Sequence, residues 1–247
     1  KSEFLHQYHG RYGTPRRVKL LANVERLAIW GSRLAPLSNW IVQGRAARWL
    51  NEKMFGLDRR RVPPRYARRT FLHWHAKNTG PNRHAPENSQ VALFVDTFTN
   101  FHEPVHAIAA WRMAERLGAK PILANRVCCG RPLISKGLLS AARRQAEAVT
   151  QSLARLAWRG IPILFCEPSC YSAVRDDHPH LLQGKLRADA KTVAAACVTF
   201  EEWAATALAG PASAQDYEVA YLSASSANTW LSRSLEEMEK VAEANGV

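Results

Sequence analysis

Val91-Ala92-Leu93-Phe94-Val95-Asp96-Thr97-Phe98-Thr99-Asn100 opens with five apolar residues and turns polar without a break. A run of that length, too short for a helix and bounded by turn-formers, reads as a strand buried on both faces. Two further runs repeat the pattern. Pro121 to Ala124 leads to Cys128-Cys129-Gly130-Arg131-Pro132, and Ile161 to Phe165 leads to Cys166-Glu167-Pro168-Ser169-Cys170. Between them, Glu103 to Gly118 and Lys136 to Gly160 read as helices. This order makes two βαβ units, and the fold class is therefore α/β with a small open parallel sheet. Ligands in such sheets sit beyond the carboxyl ends of the strands, so the three polar segments should line one crevice. Four of the five cysteines lie in those segments.

The 247 residues, 47% of them hydrophobic, suffice for one large domain or for a domain of about 150 residues with an appendage. No apolar run approaches the roughly 18 residues needed to span a bilayer. Residue 1 is Lys, and the opening residues lack the apolar stretch of a signal peptide. The chain therefore reads as a fragment of a longer cytoplasmic protein. An odd number of cysteines, two of them adjacent, fits metal-binding or redox thiols in a reducing compartment better than a disulfide framework.

Charge is unevenly placed: residues 1–90 hold 18 Lys and Arg against 5 Asp and Glu, and the remainder holds 16 of each. The front segment shows helical patterns over Val18 to Leu34 and Leu37 to Phe55, with Trp30, Trp40 and Trp49 on apolar faces. An Arg-rich loop, Arg59 to Arg65, and a turn-rich stretch from Lys77 to Asn88 follow. A zinc-finger spacing, an RNP-type strand and a helix-turn-helix signature are all missing, which argues against a nucleic-acid partner. A basic amphipathic surface of this kind suits an acidic partner domain, an anionic lipid surface, or simply solvent.

In the first polar segment Asp96, Thr97 and His102 are candidates to face the crevice. The plainer alternative is a strand-to-helix turn with Thr99 or Asn100 as cap, Pro104 in the first helical turn and His102 in solvent. In the second, adjacent cysteines cannot easily bond to each other, and Gly130 permits a tight turn that turns N–H groups toward a bound anion or sulfide. Two small buried hydrophobes would be the alternative there. In the third, Cys170 falls near a helix start, where free N–H groups favour thiolate, with Glu167 close enough to share the pocket. Cys166 ends its strand and is a weak candidate, and Cys197, in an Ala-rich helical run, reads as packing. Soft sulfur donors select iron-sulfur clusters, zinc or copper(I), and the lack of paired Cys-x-x-Cys motifs favours the first. With no Gly-rich phosphate loop, no flavin site can be assigned to these residues.

Three strings, Val91 to Pro104, Val127-Cys128-Cys129-Gly130-Arg131-Pro132-Leu133-Ile134-Ser135-Lys136-Gly137-Leu138-Leu139, and Gly160-Ile161-Pro162-Ile163 through Cys170, resemble the cysteine-rich "CCG" domain. That domain closes FAD-linked oxidases of the D-lactate, glycolate and 2-hydroxyglutarate dehydrogenase type and is akin to the B component of heterodisulfide reductase. Ser2-Glu3-Phe4-Leu5 is similar to the helix that follows a ferredoxin-like module in such proteins. The resemblance implies electron transfer: a flavin domain oxidises a 2-hydroxy acid, and iron-sulfur centres pass electrons to a quinone or another carrier. It places the cluster ligands at Cys128, Cys129 and Cys170; the placement of the residues themselves adds Glu167 as a further metal ligand and Gly130, Thr97, Asp96 and His102 around the cofactor. The fuller motif has cysteines where Thr97 and Glu167 stand, so the ligand set for a 4Fe-4S cluster is incomplete. The family's second half, with its own Cys-Cys-Gly motif, has no counterpart between Gln215 and Val247.

The expectation is thus a basic helical segment over 1–88, a cysteine-rich α/β domain over 89–210, and a divergent polar tail over 211–247 with a terminal helix from Leu231 to Ala244. The fragment would relay electrons within an oxidoreductase and not be catalytic alone. Flavin and ferredoxin-like domains would be its partners, FAD would sit on another segment, and attachment would be at most peripheral at the inner membrane face. The alternatives are a docking module that has lost its cluster, and a thiol or zinc protein using Cys170.

Overall fold

Each of the three apolar runs forms a strand, and a fourth strand joins them. The computed structural model describes residues 1–79, 89–124 and 127–209, so the expected tail over 211–247 and most of the stretch up to Asn88 lie outside the described residues. Six helices come first: α1 (Ser2–Tyr12), α2 (Arg16–Ala22), α3 (Val24–Arg33), α4 (Leu37–Gln43), α5 (Arg45–Phe55) and α6 (Phe71–Asn78). The α/β part then runs β1 (Gln90–Phe94), α7 (Thr97–Phe101), α8 (Pro104–Arg116), β2 (Lys120–Leu123), α9 (Arg131–Ser135), α10 (Leu139–Trp158) and β3 (Ile163–Phe165). It continues through α11 (Pro168–Ser172), a π-helical turn (Ala173–Asp177), α12 (His178–Leu181), α13 (Gly184–Ala196), β4 (Cys197–Thr199) and α14 (Phe200–Ala209). The class is α/β, as read.

All four strands are parallel, in the order β2-β1-β3-β4. Alternate residues of β1 and β3 pack on opposite faces. Ala92, Phe94, Ile163 and Phe165 meet Val149 and Leu153 of α10 on one side. Val91, Leu93 and Leu164 meet Ala107, Ala110 and Trp111 of α8, with Phe71 and Phe200, on the other. Two covered faces explain why these strands read as unbroken apolar runs. Helix α10 turns Ala142, Ala146, Val149, Leu153 and Ala157 inward, the three-and-four spacing that keeps one stripe on the sheet.

Three details depart from the sequence reading. The helix expected over Val18 to Leu34 breaks at Asn23, whose side chain donates to the Lys19 carbonyl at 2.8 Å and so competes with the helix backbone. The one expected over Leu37 to Phe55 breaks at Gly44, which is extended. Cys197 starts β4 instead of lying in a helix: α13 ends at Ala196, and Val198-Thr199 supplies the β-branched pair that pairs with Leu164 and Phe165.

The front segment docks on the α/β part through hydrogen bonds. Ala67 N–H donates to the Phe101 carbonyl at 2.7 Å, and Leu72 N–H donates to the Asn100 side-chain oxygen at 3.1 Å. Trp30, Trp40 and Trp49 turn outward, with Trp40 78% exposed. Among the described residues no helix is long and apolar enough to cross a membrane.

Candidate functional site

In the strand order β2-β1-β3-β4 the chain reverses its direction of winding between β1 and β3, and the loops leaving β1, β2 and β3 meet beyond the carboxyl ends of the strands. This is the switch-point crevice where open parallel sheets bind ligands. The first loop is short. Asp96 caps α7, its carboxylate accepting from the Phe98 and Thr99 N–H groups at 2.7 and 3.0 Å and from the Thr99 hydroxyl at 2.6 Å. Burial pushes its carboxyl above the ordinary carboxylate range, against the pull of these donors and with the help of the nearby Glu167 charge. The Thr97 hydroxyl is buried and approaches the Cys128 thiol.

The second loop carries Cys128-Cys129-Gly130. Gly130 adopts φ +83°, which L side chains rarely do, and an added Cβ would stand 3.1 Å from Cγ of Gln145. This turn aims the Gly130 N–H at the Cys128 sulfur, 3.5 Å away, and the Arg131 N–H at that of Cys129. Carbonyls on the other side of the loop are tied down. Gln145 donates to the Cys128 carbonyl at 2.7 Å and the buried His178 Nε2 donates to that of Cys129 at 2.9 Å. Burial holds His178 below its ordinary value and so neutral, which leaves its Nδ1 as an acceptor without a partner.

Cys170, one turn into α11, brings its sulfur to 2.9 Å from that of Cys129 across 41 residues of sequence. The distance is well outside the ~2.05 Å of a disulfide, and all five cysteines are free thiols. Arg131 holds the two loops together: its guanidinium donates to the Ser169 carbonyl at 3.2 Å, to the Ser172 hydroxyl and to Asp177 at 2.7 Å. The expected helix-start thiolate is not favoured at Cys170. Its contact with Cys129 lowers the thiol pKa, but burial and the Asp96, Cys128 and Glu167 charges outweigh it. Cys128 is raised by its contact with Cys129 and by burial. Cys129 is lowered by Cys128, but its contact with Cys170 and burial prevail. Burial and mutual contact hold the three thiols against ionisation until a cation shares them, and binding a soft metal deprotonates such thiols.

The donor set suits a soft metal or an iron-sulfur centre in its chemistry: three thiols, backbone N–H groups aimed at two of them, and a buried hydroxyl beside one. As placed they do not form a ready cage. Among the described residues no group of three or more His, Cys, Asp and Glu side chains is disposed to hold a metal ion.

The remaining candidates are placed as follows. Glu167 caps α11, accepting from Ser169 N–H at 3.3 Å. His102 turns from the thiols to the front segment, with Nδ1 2.8 Å from the Arg65 carbonyl and its ring against Tyr66. Cys166 faces the other side of the sheet, in the core with Leu164 and Phe200, and Cys197 packs in the core with its sulfur against the Val193 carbonyl.

Two residues escaped the sequence reading, the buried His178 and an acid of the front segment. Glu25, on α3, accepts from the Cys128 N–H at 3.0 Å over a separation of 103 residues. Burial lifts its carboxyl above the ordinary range, opposed by that hydrogen bond and by Arg26. No local pattern marks it, although it is one of the few acids of a strongly basic segment. With Glu25 and Cys128 in its wall, a pocket of about 380 Å³ opens beside the thiols, lined also by Ser32, Arg33, Arg68 and Thr97.

Comparison with curated proteins finds relatives in redox enzymes. The chain is 26% identical over 185 residues to the C component of the anaerobic glycerol-3-phosphate dehydrogenase of Escherichia coli K12, covering 73% of this chain and 46% of that one. It is 28% identical over 220 residues to the D-2-hydroxyglutarate dehydrogenase of E. coli K12, covering 84% of this chain and 20% of the relative. For the D-2-hydroxyglutarate dehydrogenase of Haemophilus influenzae the figures are 25% over 191 residues, 75% and 19%. The chain thus spans about half the length of the first relative and about a fifth of the others. No protein-family model matches the chain, and no solved structure does.

Proposed function

We propose that this chain is an iron-sulfur electron-transfer domain of the CCG type, part of an FAD-linked 2-hydroxy-acid dehydrogenase, with Cys128, Cys129 and Cys170 as its sulfur ligands. The observation that carries this reading is the approach of the Cys129 and Cys170 sulfurs to 2.9 Å from loops 41 residues apart, at the rim where such sheets bind ligands. Similarity to parts of two kinds of dehydrogenase supports a role beside a catalytic component. When bound, a cluster supplies one-electron transfer. The chain's own residues orient and insulate it: Gly130 and Arg131 aim N–H groups at sulfur, Thr97 offers a hydroxyl to Cys128, and His178 and Gln145 fix the loop. Glu167 is the oxygen donor on the same turn as Cys170, and Asp96 belongs to the surrounding shell. Residues 1–88 act as a basic docking segment and 89–210 as the redox domain. Flavin and ferredoxin-like domains are its partners and a quinone is a fitting acceptor. The outward Trp30 and Trp40, among basic residues, suit contact with an anionic membrane face.

The test is anaerobic loading of the purified chain with iron and sulfide, followed by iron counting, visible absorption and EPR. Bound iron with a visible chromophore is expected, reduced severalfold by Cys128→Ser or Cys170→Ser and unchanged by Cys197→Ser. A metal-free product in which all three thiols alkylate freely overturns the assignment. A second reading, a docking module without a cluster, draws support from the sulfurs' disposition, since they touch each other and do not form a cage. The metal-free outcome, with the fold intact by circular dichroism, selects it.

A further inference from the structure

The pocket beside Cys128 has its own chemistry. Its volume of about 380 Å³ falls in the range of small-molecule sites, roughly 300 to 1,000 Å³. Its wall comes from distant segments: Ile29 and Arg33 on α3, Arg68 and Thr70 ahead of α6, and Asp96 and Thr97 at the exit of β1. Arg33 lies with its guanidinium 5.4 Å from the Trp30 ring centre. Among the described residues neither Arg33 nor Arg68 forms an ion pair. The two carboxyls in the wall are already engaged, Glu25 by the Cys128 N–H and Asp96 by the start of α7. Neither carboxyl pairs with an arginine, so the exposed Arg33 and Arg68 are open to an anion, and planar guanidinium groups bind carboxylate and phosphate through paired hydrogen bonds.

We infer that this pocket binds a small, multiply charged oxyanion of the carboxylate or phosphate class, gripped by Arg33 and Arg68 with Cys128 at its inner wall. The site makes the basic front segment part of the crevice and places an anionic occupant within reach of the loop that carries the thiols. It does not depend on the presence of a cluster, and binding is read on the metal-free chain, so the failure of one assignment leaves the other standing.

The test is calorimetric titration of the purified chain with inorganic phosphate and with malonate, and with malonamide as the uncharged control. Saturable one-to-one binding of phosphate, malonate or both is expected, and which of them saturates assigns the source of the oxyanion. Arg33→Gln and Arg68→Gln should each weaken binding at least tenfold. The double variant Lys19→Gln with Arg61→Gln removes two exposed charges away from the pocket and should leave binding unchanged. In the unaltered chain a saturating probe should also slow carbamidomethylation of Cys128 without changing that of Cys197, a readout that needs no variant. The inference is overturned if neither anion saturates, if malonamide binds equally well, if the distant double variant loses as much affinity, or if Cys128 gains no protection.

Discussion

Gly130→Ala isolates the part of the cysteine loop that the backbone alone dictates. A residue with a Cβ at φ near +83° meets the steric penalty of the left-handed region, on the order of 1 kcal/mol after the smaller entropy of the unfolded chain is credited. Here the Cβ also falls 3.1 Å from Cγ and 3.3 Å from Cβ of Gln145. To make room, Gln145 must shift the amide that donates to the Cys128 carbonyl at 2.7 Å, and a hydrogen bond of that kind is worth about 0.5–1.5 kcal/mol net. Gly118 provides the control, because its φ is +78° and an added Cβ there meets nothing within 4 Å. Urea unfolding should therefore place Gly118→Ala about 1 kcal/mol below the parent and Gly130→Ala about 2 kcal/mol below it, the difference being the Gln145 contact. Alkylation kinetics supply the second readout, since only Gly130→Ala should change the rate at Cys128. Equal destabilisation by the two variants, with unchanged thiol reactivity, would show that the loop relaxes freely and that its geometry is not fixed by this turn.

Two further variants test the front segment and the far edge of the sheet. Glu25→Ala leaves the Cys128 N–H without its acceptor and should cost about 1–3 kcal/mol, whereas Glu25→Gln keeps an oxygen in place and should recover most of it; equal loss in both, measured by urea unfolding, refutes the contact. Glu201, in the first turn of α14, is held by burial above its ordinary value of 4.5. The folded state therefore binds its proton more tightly than the unfolded state does, so its contribution is fully present below pH 4.5 and is lost as pH rises through the folded value. Glu201→Gln should leave stability near pH 4 close to the parent and gain on it steadily toward neutrality; parallel stability curves for the two proteins would refute this.

What the sequence disclosed follows the range of the physics involved. The strands ending at Phe94 and Phe165 were legible because burial on both faces writes an uninterrupted apolar run. The rim location of Cys128, Cys129 and Cys170 then followed from topology alone. Strand β4 was hidden because three residues, Cys197 to Thr199, sit against an Ala-rich helix and are too few to show a period. The breaks at Asn23 and Gly44 were audible only as single residues inside strong helical patterns, where periodicity outvotes them. Glu25 and His178 were out of reach for a different reason: each meets the cysteine loop across at least 49 residues, and no local pattern records a partner at that distance.

Those two residues also explain how a loop with so much unfavourable burial keeps one shape. Three thiols and two carboxyls, Asp96 and Glu25, crowd one corner, and burial opposes the charge of each. A loop that merely gathered them would relax outward to hydrate. The surrounding contacts prevent this by satisfying backbone groups, not by neutralising sulfur. Glu25 takes the Cys128 N–H, Gln145 and His178 take the two carbonyls, and Arg131 ties the loop to Ser169, Ser172 and Asp177. The sulfur atoms are left as the groups in the corner without a strong partner, a condition that a thiophilic ion or cluster relieves. The asymmetry of charge along the sequence has a structural counterpart in the same place: the basic segment contributes the acid that pins the loop and the arginines that wall its pocket, so removing its contacts should disturb the thiols even though none of them lies in it.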